Sequence, residues 1–203
     1  GQRRYMTITY VTMWIGTLAL VGMPDFAGLF SKDAIIEAVH ESTRWGSGYA
    51  YCCVLLGAFV TAFYSFRLLY MTFHGKERFK VVHGSHDSHD HHQGVLAHAP
   101  KESPWVITVP LVLLAIPSVI IGWFTVKPLL YGGWFGSAIK VLPGHDVLAH
   151  MAEEFHGPLA MFWGAFASPP FWIAFAGFLV ATYVYLFNPA IADRAARMFL
   201  PIF

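Results

Sequence analysis

Apolar residues along this chain neither alternate nor keep to one helical stripe; they come in long blocks separated by short polar clusters. A helix needs about 20 mostly apolar residues to cross roughly 30 Å of hydrocarbon. Such blocks cover residues 5–40 (with an interruption), 49–73 and 105–126. A further block starts at Pro169-Pro170, where proline suits a helix's first turn, and ends before Asn188-Pro189. The pattern predicts an all-α, polytopic membrane helix bundle of about four transmembrane helices, the first discontinuous. It divides the chain into residues 1–75 (broken helix and second span), 76–103 (a histidine-rich loop), 104–126, 127–168 (a loop with an amphipathic stretch) and 169–203. Pro110 and Pro117 inside the third block are tolerated in membranes, where neighbours satisfy the freed carbonyls.

The interruption is the informative feature. Residues 5–41 as one straight helix would be about 54 Å long, far more than a bilayer needs. Gly22, Met23, Pro24 and Asp25 are the obvious break, because proline lacks a backbone donor and disfavours helix at the residue before it. Gly28 is expected to loosen the chain again. A helix broken at membrane depth is tolerated only where protein or water surrounds it, and broken helices recur at ion sites in transporters. Ser31, Lys32 and Asp33 are expected to open a second half-helix. Helical spacing puts Lys32 with Ile35, Ile36 and Val39, and Asp33 one turn from Glu37. Burial favours a neutral amine and a nearby carboxylate favours the ammonium, so Lys32 reads as a switchable proton site. The candidate pathway is Lys32, Asp33, Glu37 and His40. The alternative is a lysine snorkelling to a headgroup, with Asp33 capping the half-helix.

Composition strengthens the membrane reading. Apolar residues are 56 % of the chain and charged residues 12 %, against about 25 % in soluble domains. A net charge of +1 gives no reason to expect nucleic acid. Cys52 and Cys53 are adjacent in an apolar run and read as core side chains. The chain opens at Gly1 with no initiator methionine, as a fragment of something longer would. Arg3, Arg4, Lys76, Arg78, Lys80, Lys101, Arg194 and Arg197 fall on one side of the predicted spans, and Arg44, Lys127 and Lys140 on the other. The positive-inside rule then places both ends on the cytoplasmic or matrix side.

Further polar residues are candidates for pathway support. Thr61, Tyr64 and Ser65 form a patch on the second span, and Arg67 and His74 follow; Arg67 also fits a snorkelling role. The loop containing His83, His86, His89, His91, His92 and His98 reads as a solvated tether, with adventitious metal binding at His83, His86 and His89 as the alternative. Residues 147–155 read as an amphipathic helix on the membrane surface, although His150 and Glu154 could share a proton or a metal. No phosphate-cradling glycine loop, nucleophile–base pair or cysteine cluster stands out.

Several segments resemble one family. The run PDFAGLFSKDAII (residues 24–36) is similar to the broken-helix motif of the antiporter-like subunit L (chain 5) of respiratory complex I, NADH–quinone oxidoreductase. So are FVTAFYSFR (59–67), FHGKE (73–77), ESP (102–104), IPS (116–118) and Ile121-Gly122. The resemblance covers residues 5–124 in order and spacing and is looser beyond. It implies a proton-translocating subunit in the C-terminal half of that family's chain, with Lys32 as the terminal donor toward the outer side and Asp33 as the acid beside it. It implies no cofactor on this chain, with FMN, iron–sulfur clusters and quinone in partner subunits. The implied partners are other membrane-arm subunits, the lipid bilayer and protons, in a bacterial or mitochondrial inner membrane. The family's preceding helices, with their own lysine and glutamate, and its long lateral helix are absent from this sequence. The competing readings are a sodium/proton antiporter or membrane-bound hydrogenase subunit, and a metal-ion transporter or sensor built on the histidine loop.

Overall fold

The computed structural model describes residues 2–75, 100–139, 146–192 and 194. Among them every regular element is helical. In chain order the α-helices are α1 (Thr7–Val21), α2 (Ala27–Glu41), α3 (Ser47–Leu69), α4 (Trp105–Val126), α5 (Val147–Glu154), α6 (Pro158–Ala165) and α7 (Pro169–Thr182). α3, α4 and α7 each run on through a π-helical turn, giving Ser47–His74, Trp105–Tyr131 and Pro169–Phe187. These three are long and apolar enough to cross a membrane, and α1 is a shorter apolar helix. The protein is an integral membrane protein, and α4 continues unbroken through Pro110 and Pro117.

α1 ends because Gly22 adopts φ 82°, ψ 38°, a left-handed conformation that costs glycine nothing. Its N–H donates to the Ala19 carbonyl and the Met23 N–H to the Leu18 carbonyl, a Schellman closure followed by a proline that cannot continue the helix. Asp25 is the one non-glycine residue at positive φ among the described residues (77°), a conformation aspartate tolerates. α2 then begins at Ala27, one turn earlier than the sequence pattern suggested. Gly28 therefore does not loosen the chain; it lies inside the helix, where its backbone presses on α1. A Cβ there would fall 1.6 Å from the Ala19 carbonyl oxygen.

The most extensive packing is between α3 and α7, with α4 lying along α1 and α2. Without a hydrophobic drive between helices in lipid, small residues that admit close approach do the work. Ala62 and Ala181 are fully buried, and a Cβ on Gly177 would meet the Phe59 carbonyl oxygen at 2.6 Å. Aromatic rings fill the remaining space: Phe66 packs on Trp14 (5.7 Å between centroids) and on Phe178 (4.6 Å). Outward, Leu113, Leu114 and Phe124 are well exposed, the surface a helix turns toward lipid or a neighbouring subunit.

α1 has no acidic residue in its first turn and no side-chain cap of its own. Glu102, just before α4, supplies one from 94 positions away. Its carboxylate accepts from the Ile8 N–H (2.9 Å), the Thr9 N–H (3.3 Å) and the Thr9 hydroxyl (2.6 Å). A negative charge on the orphan donors of a helix N-terminus is favourable, and here it ties the start of α1 to the start of α4.

Candidate functional site

The break sets the position of Lys32. It lies on the second turn of α2, which folds back against α1 so that a Cβ on Gly22 would touch Lys32 Cδ at 3.5 Å. The lysine stem thus runs over the end of α1, where side-chain bulk is missing. Beside it is a cavity of about 20 Å³, room for one water molecule, bounded by Gly22, Leu29, Lys32, Asp33, Ile36 and Ala58 together with residues of α7. Of the aliphatic neighbours expected from spacing, Ile36 is buried here, but Ile35 is 60 % exposed on the opposite flank. At about 100° per residue the fourth position stays closer to the face of Lys32 than the third.

Asp33 and Ile36 also line a second cavity, of about 480 Å³. Its polar wall is formed by Asp33, Glu37, His40 and Glu41 of α2, by Tyr51 and Tyr131, and by Glu154 and His156 at the end of α5. The structure therefore brings Lys32 and Asp33 to one small cavity, and Asp33, Glu37 and His40 to a larger one, with Asp33 common to both. Glu37 lies within electrostatic range of Glu154, Glu41, His40 and Tyr131. His40 stands 3.5 Å from Glu41 and packs on Tyr51 at 5.0 Å, in an exposed position at the cavity mouth.

The support residues predicted on α3 divide differently. Tyr64 and Arg67 are exposed, Thr61 is half-buried, and Ser65 is buried with its hydroxyl unpaired among the described residues. Arg67 sits over the Tyr185 ring, 5.9 Å from its centroid, a cation–π contact with the end of α7. His74 belongs to a cluster at the opposite end of the bundle from His40: its Nε2 is 3.2 Å from the Tyr10 hydroxyl, and its ring meets Tyr70 edge-on. Tyr70 in turn pairs with Thr182 at 3.0 Å. The Thr182 hydroxyl proton is used on the Phe178 carbonyl, so Tyr70 donates. None of Thr61, Tyr64, Ser65, Arg67 and His74 lines either cavity. The rings of Trp14, Phe66 and Phe178 lie between the two ends.

His83, His86 and His89 lie outside the described residues, as do the other histidines of that loop. Among the described residues no group of His, Cys, Asp or Glu is arranged to hold a metal ion; Cys52 and Cys53, expected in the core, are exposed free thiols, since no described helix packs on that face of α3. The loop 127–168 holds what sequence reading undervalued. α5 is seated on protein: its Met151 is buried, and it packs on α2. The amphipathic pattern reported a buried stripe correctly but could not say that the partner was protein.

The arrangement occurs in a chain with close relatives. NADH-quinone oxidoreductase subunit L of Neisseria meningitidis is 46 % identical over 99 % of this chain and 30 % of its own length. This chain belongs to the subunit L/chain 5 family. The Rhodobacter capsulatus subunit L is 38 % identical over 74 % of this chain and 20 % of its own, and the NAD(P)H-quinone oxidoreductase chain 5 of Picosynechococcus is 40 % identical over 60 % and 18 %. No family model matches the chain. The chain spans about a third or less of the length of these relatives, so it corresponds to a part of the subunit they represent.

Proposed function

We propose that this chain is the proton-releasing part of a proton-translocating membrane subunit of NADH–quinone oxidoreductase. The observation that carries the reading is the pair of cavities that share Asp33 in their walls, one beside Lys32 at the helix break and the other a roomy polar space. In this reading Lys32 holds a proton among apolar groups and gives it, directly or through the water its cavity admits, to Asp33. The carboxylate then hands it to the cavity containing Glu37 and His40. Lys32 is best suited to this because its stem is held against Gly22 beside the small cavity that Asp33 also lines.

Direction follows from charge. Arg3, Arg4, Lys101 and Arg194 lie at the Tyr10–His74 end, which we assign to the cytoplasmic or matrix side by the positive-inside rule. The large cavity is at the other end, so protons leave outward. The packed rings of Trp14, Phe66 and Phe178 support that polarity by placing apolar bulk between Lys32 and the inner end. Oxidation of NADH and reduction of quinone, with their flavin and iron–sulfur cofactors, belong in this proposal to partner subunits, and the energy reaches Lys32 through neighbouring membrane-arm subunits. The names of the relatives favour this over a sodium/proton antiporter, a hydrogenase subunit or a metal transporter.

The test is proton pumping by the assembled complex in vesicles, with Lys32→Ala in the complete subunit. Pumping should fall while assembly is retained. Pumping at the unsubstituted rate would make Lys32 a snorkelling residue and overturn the mechanism.

A further inference from the structure

The α5 and α6 helices, eight residues each, are too short to span a bilayer, yet this segment forms one wall of the larger cavity. Apolar contacts seat it: Met151 is buried, and Phe155 packs on Tyr131 with centroids 4.6 Å apart. That seat places Glu154 and His156 at the cavity, across from Glu37. Directly after His156 comes Gly157, whose φ of 104° and ψ of 170° suit glycine alone.

The histidine is preset for one task. Its Nδ1 is 2.6 Å from the Glu154 carbonyl oxygen. A carbonyl only accepts, so Nδ1 carries the hydrogen, and in the neutral ring Nε2 is left as the base. A backbone carbonyl fixing the tautomer through the other nitrogen is a familiar way of holding an imidazole ready.

We propose that Glu154 and His156 are the terminal proton acceptors of the exit cavity, receiving the proton that leaves α2 and releasing it to outer water. The inference rests on the proposed exit through Lys32 and Asp33. The O–H bond of a protonated Glu37 breaks, and the proton passes, through cavity water where needed, to the Glu154 carboxylate or to His156 Nε2. It then goes to bulk water, leaving both groups as they began. The other groups facing this exchange are Asp33, His40 and Glu41 on α2, Tyr51 on α3 and Tyr131 beyond α4. No electron moves in the step.

The experiment uses the complete subunit in its assembled complex, in vesicles, comparing Lys32→Ala with a Glu154→Gln/His156→Gln double variant and with Glu154→Asp. The double variant should lower NADH-driven pumping about tenfold, less than the ~10²-fold of a lone general acid–base group, because cavity water offers a slower route. Glu154→Asp, which keeps a carboxylate, should pump faster than the double variant. Normal pumping by the double variant, with Lys32→Ala defective, would remove Glu154 and His156 from the pathway and leave the Lys32 exit standing. Normal pumping by both would remove both. Should the double variant fail to assemble, Glu154→Cys, with Cys52 and Cys53 replaced by serine, is treated in the intact complex with iodoacetate or iodoacetamide. Recovery of pumping with the carboxylate-bearing reagent alone supports the proposal; equal effects of the two reagents overturn it.

Discussion

Replacing Gly28 with alanine would put a methyl group 1.6 Å from the Ala19 carbonyl oxygen and 2.8 Å from its carbon. The obstacle is backbone held in the last turn of α1, so no rotamer change relieves it. The two half-helices would have to part by roughly 1.5 Å, a distortion in the range where overpacking costs about 1–3 kcal/mol. Because the stem of Lys32 rests on Gly22 in the same contact, the amine would move as well. A misplacement of about 1 Å in a reacting group can cost on the order of 10²-fold in rate. The control is Gly16→Ala on the same helix, where an added Cβ meets nothing within 4 Å. Alanine should be neutral there or stabilise by up to about 1 kcal/mol. Heat inactivation of the assembled complex, with proton pumping measured before heating, reads both effects. Gly28→Ala should inactivate sooner and pump less, and Gly16→Ala should do neither. If the two variants behave alike, the close crossing of α1 and α2 is not what positions Lys32.

Other outcomes follow from single contacts. The hydroxyl of Thr9, with the Ile8 and Thr9 amides, holds the Glu102 carboxyl below the usual glutamate range. A depressed folded-state value means the tie is fully present above the ordinary glutamate pKa and is lost as pH falls through the lower, folded value. Amide exchange at Ile8 and Thr9, corrected for intrinsic rate, should therefore stay slow at neutral pH and speed up only on the acid side of the ordinary range; Glu102→Gln should remove that acid-side step. At the same end, Tyr70 donates to Thr182 between α3 and α7. A double-mutant cycle of Tyr70→Phe and Thr182→Val should give a coupling of about 0.6 kcal/mol, the usual size for such bonds in membranes. A coupling indistinguishable from zero would mean the bond does not hold the two helices together.

Much of the architecture was readable before any coordinates because lipid imposes a length rule. Blocks of apolar residues had to be helices, and Gly22 with Pro24 had to interrupt the first of them. The ends of α3, α4 and α7 fell within a few residues of the block ends for the same reason. The errors came where one residue can serve two purposes. Gly28 could have been a flexible joint or a contact point, and only its approach to Ala19 shows it is the latter. Residues 147–155 could have buried their apolar stripe in lipid or in protein, and periodicity is the same in both cases.

The sequence alone determined the spans and the placing of Lys32 just after a break, since both depend on neighbours within a few residues. The tertiary structure decided which distant groups those elements meet. Glu102 caps α1 through the Ile8 N–H, 94 positions earlier, and Glu154 faces Glu37 from the end of α5, more than 100 residues downstream. Such pairings are set by how helices cross and by where small residues let backbones touch, and no local pattern of hydrophobicity records either.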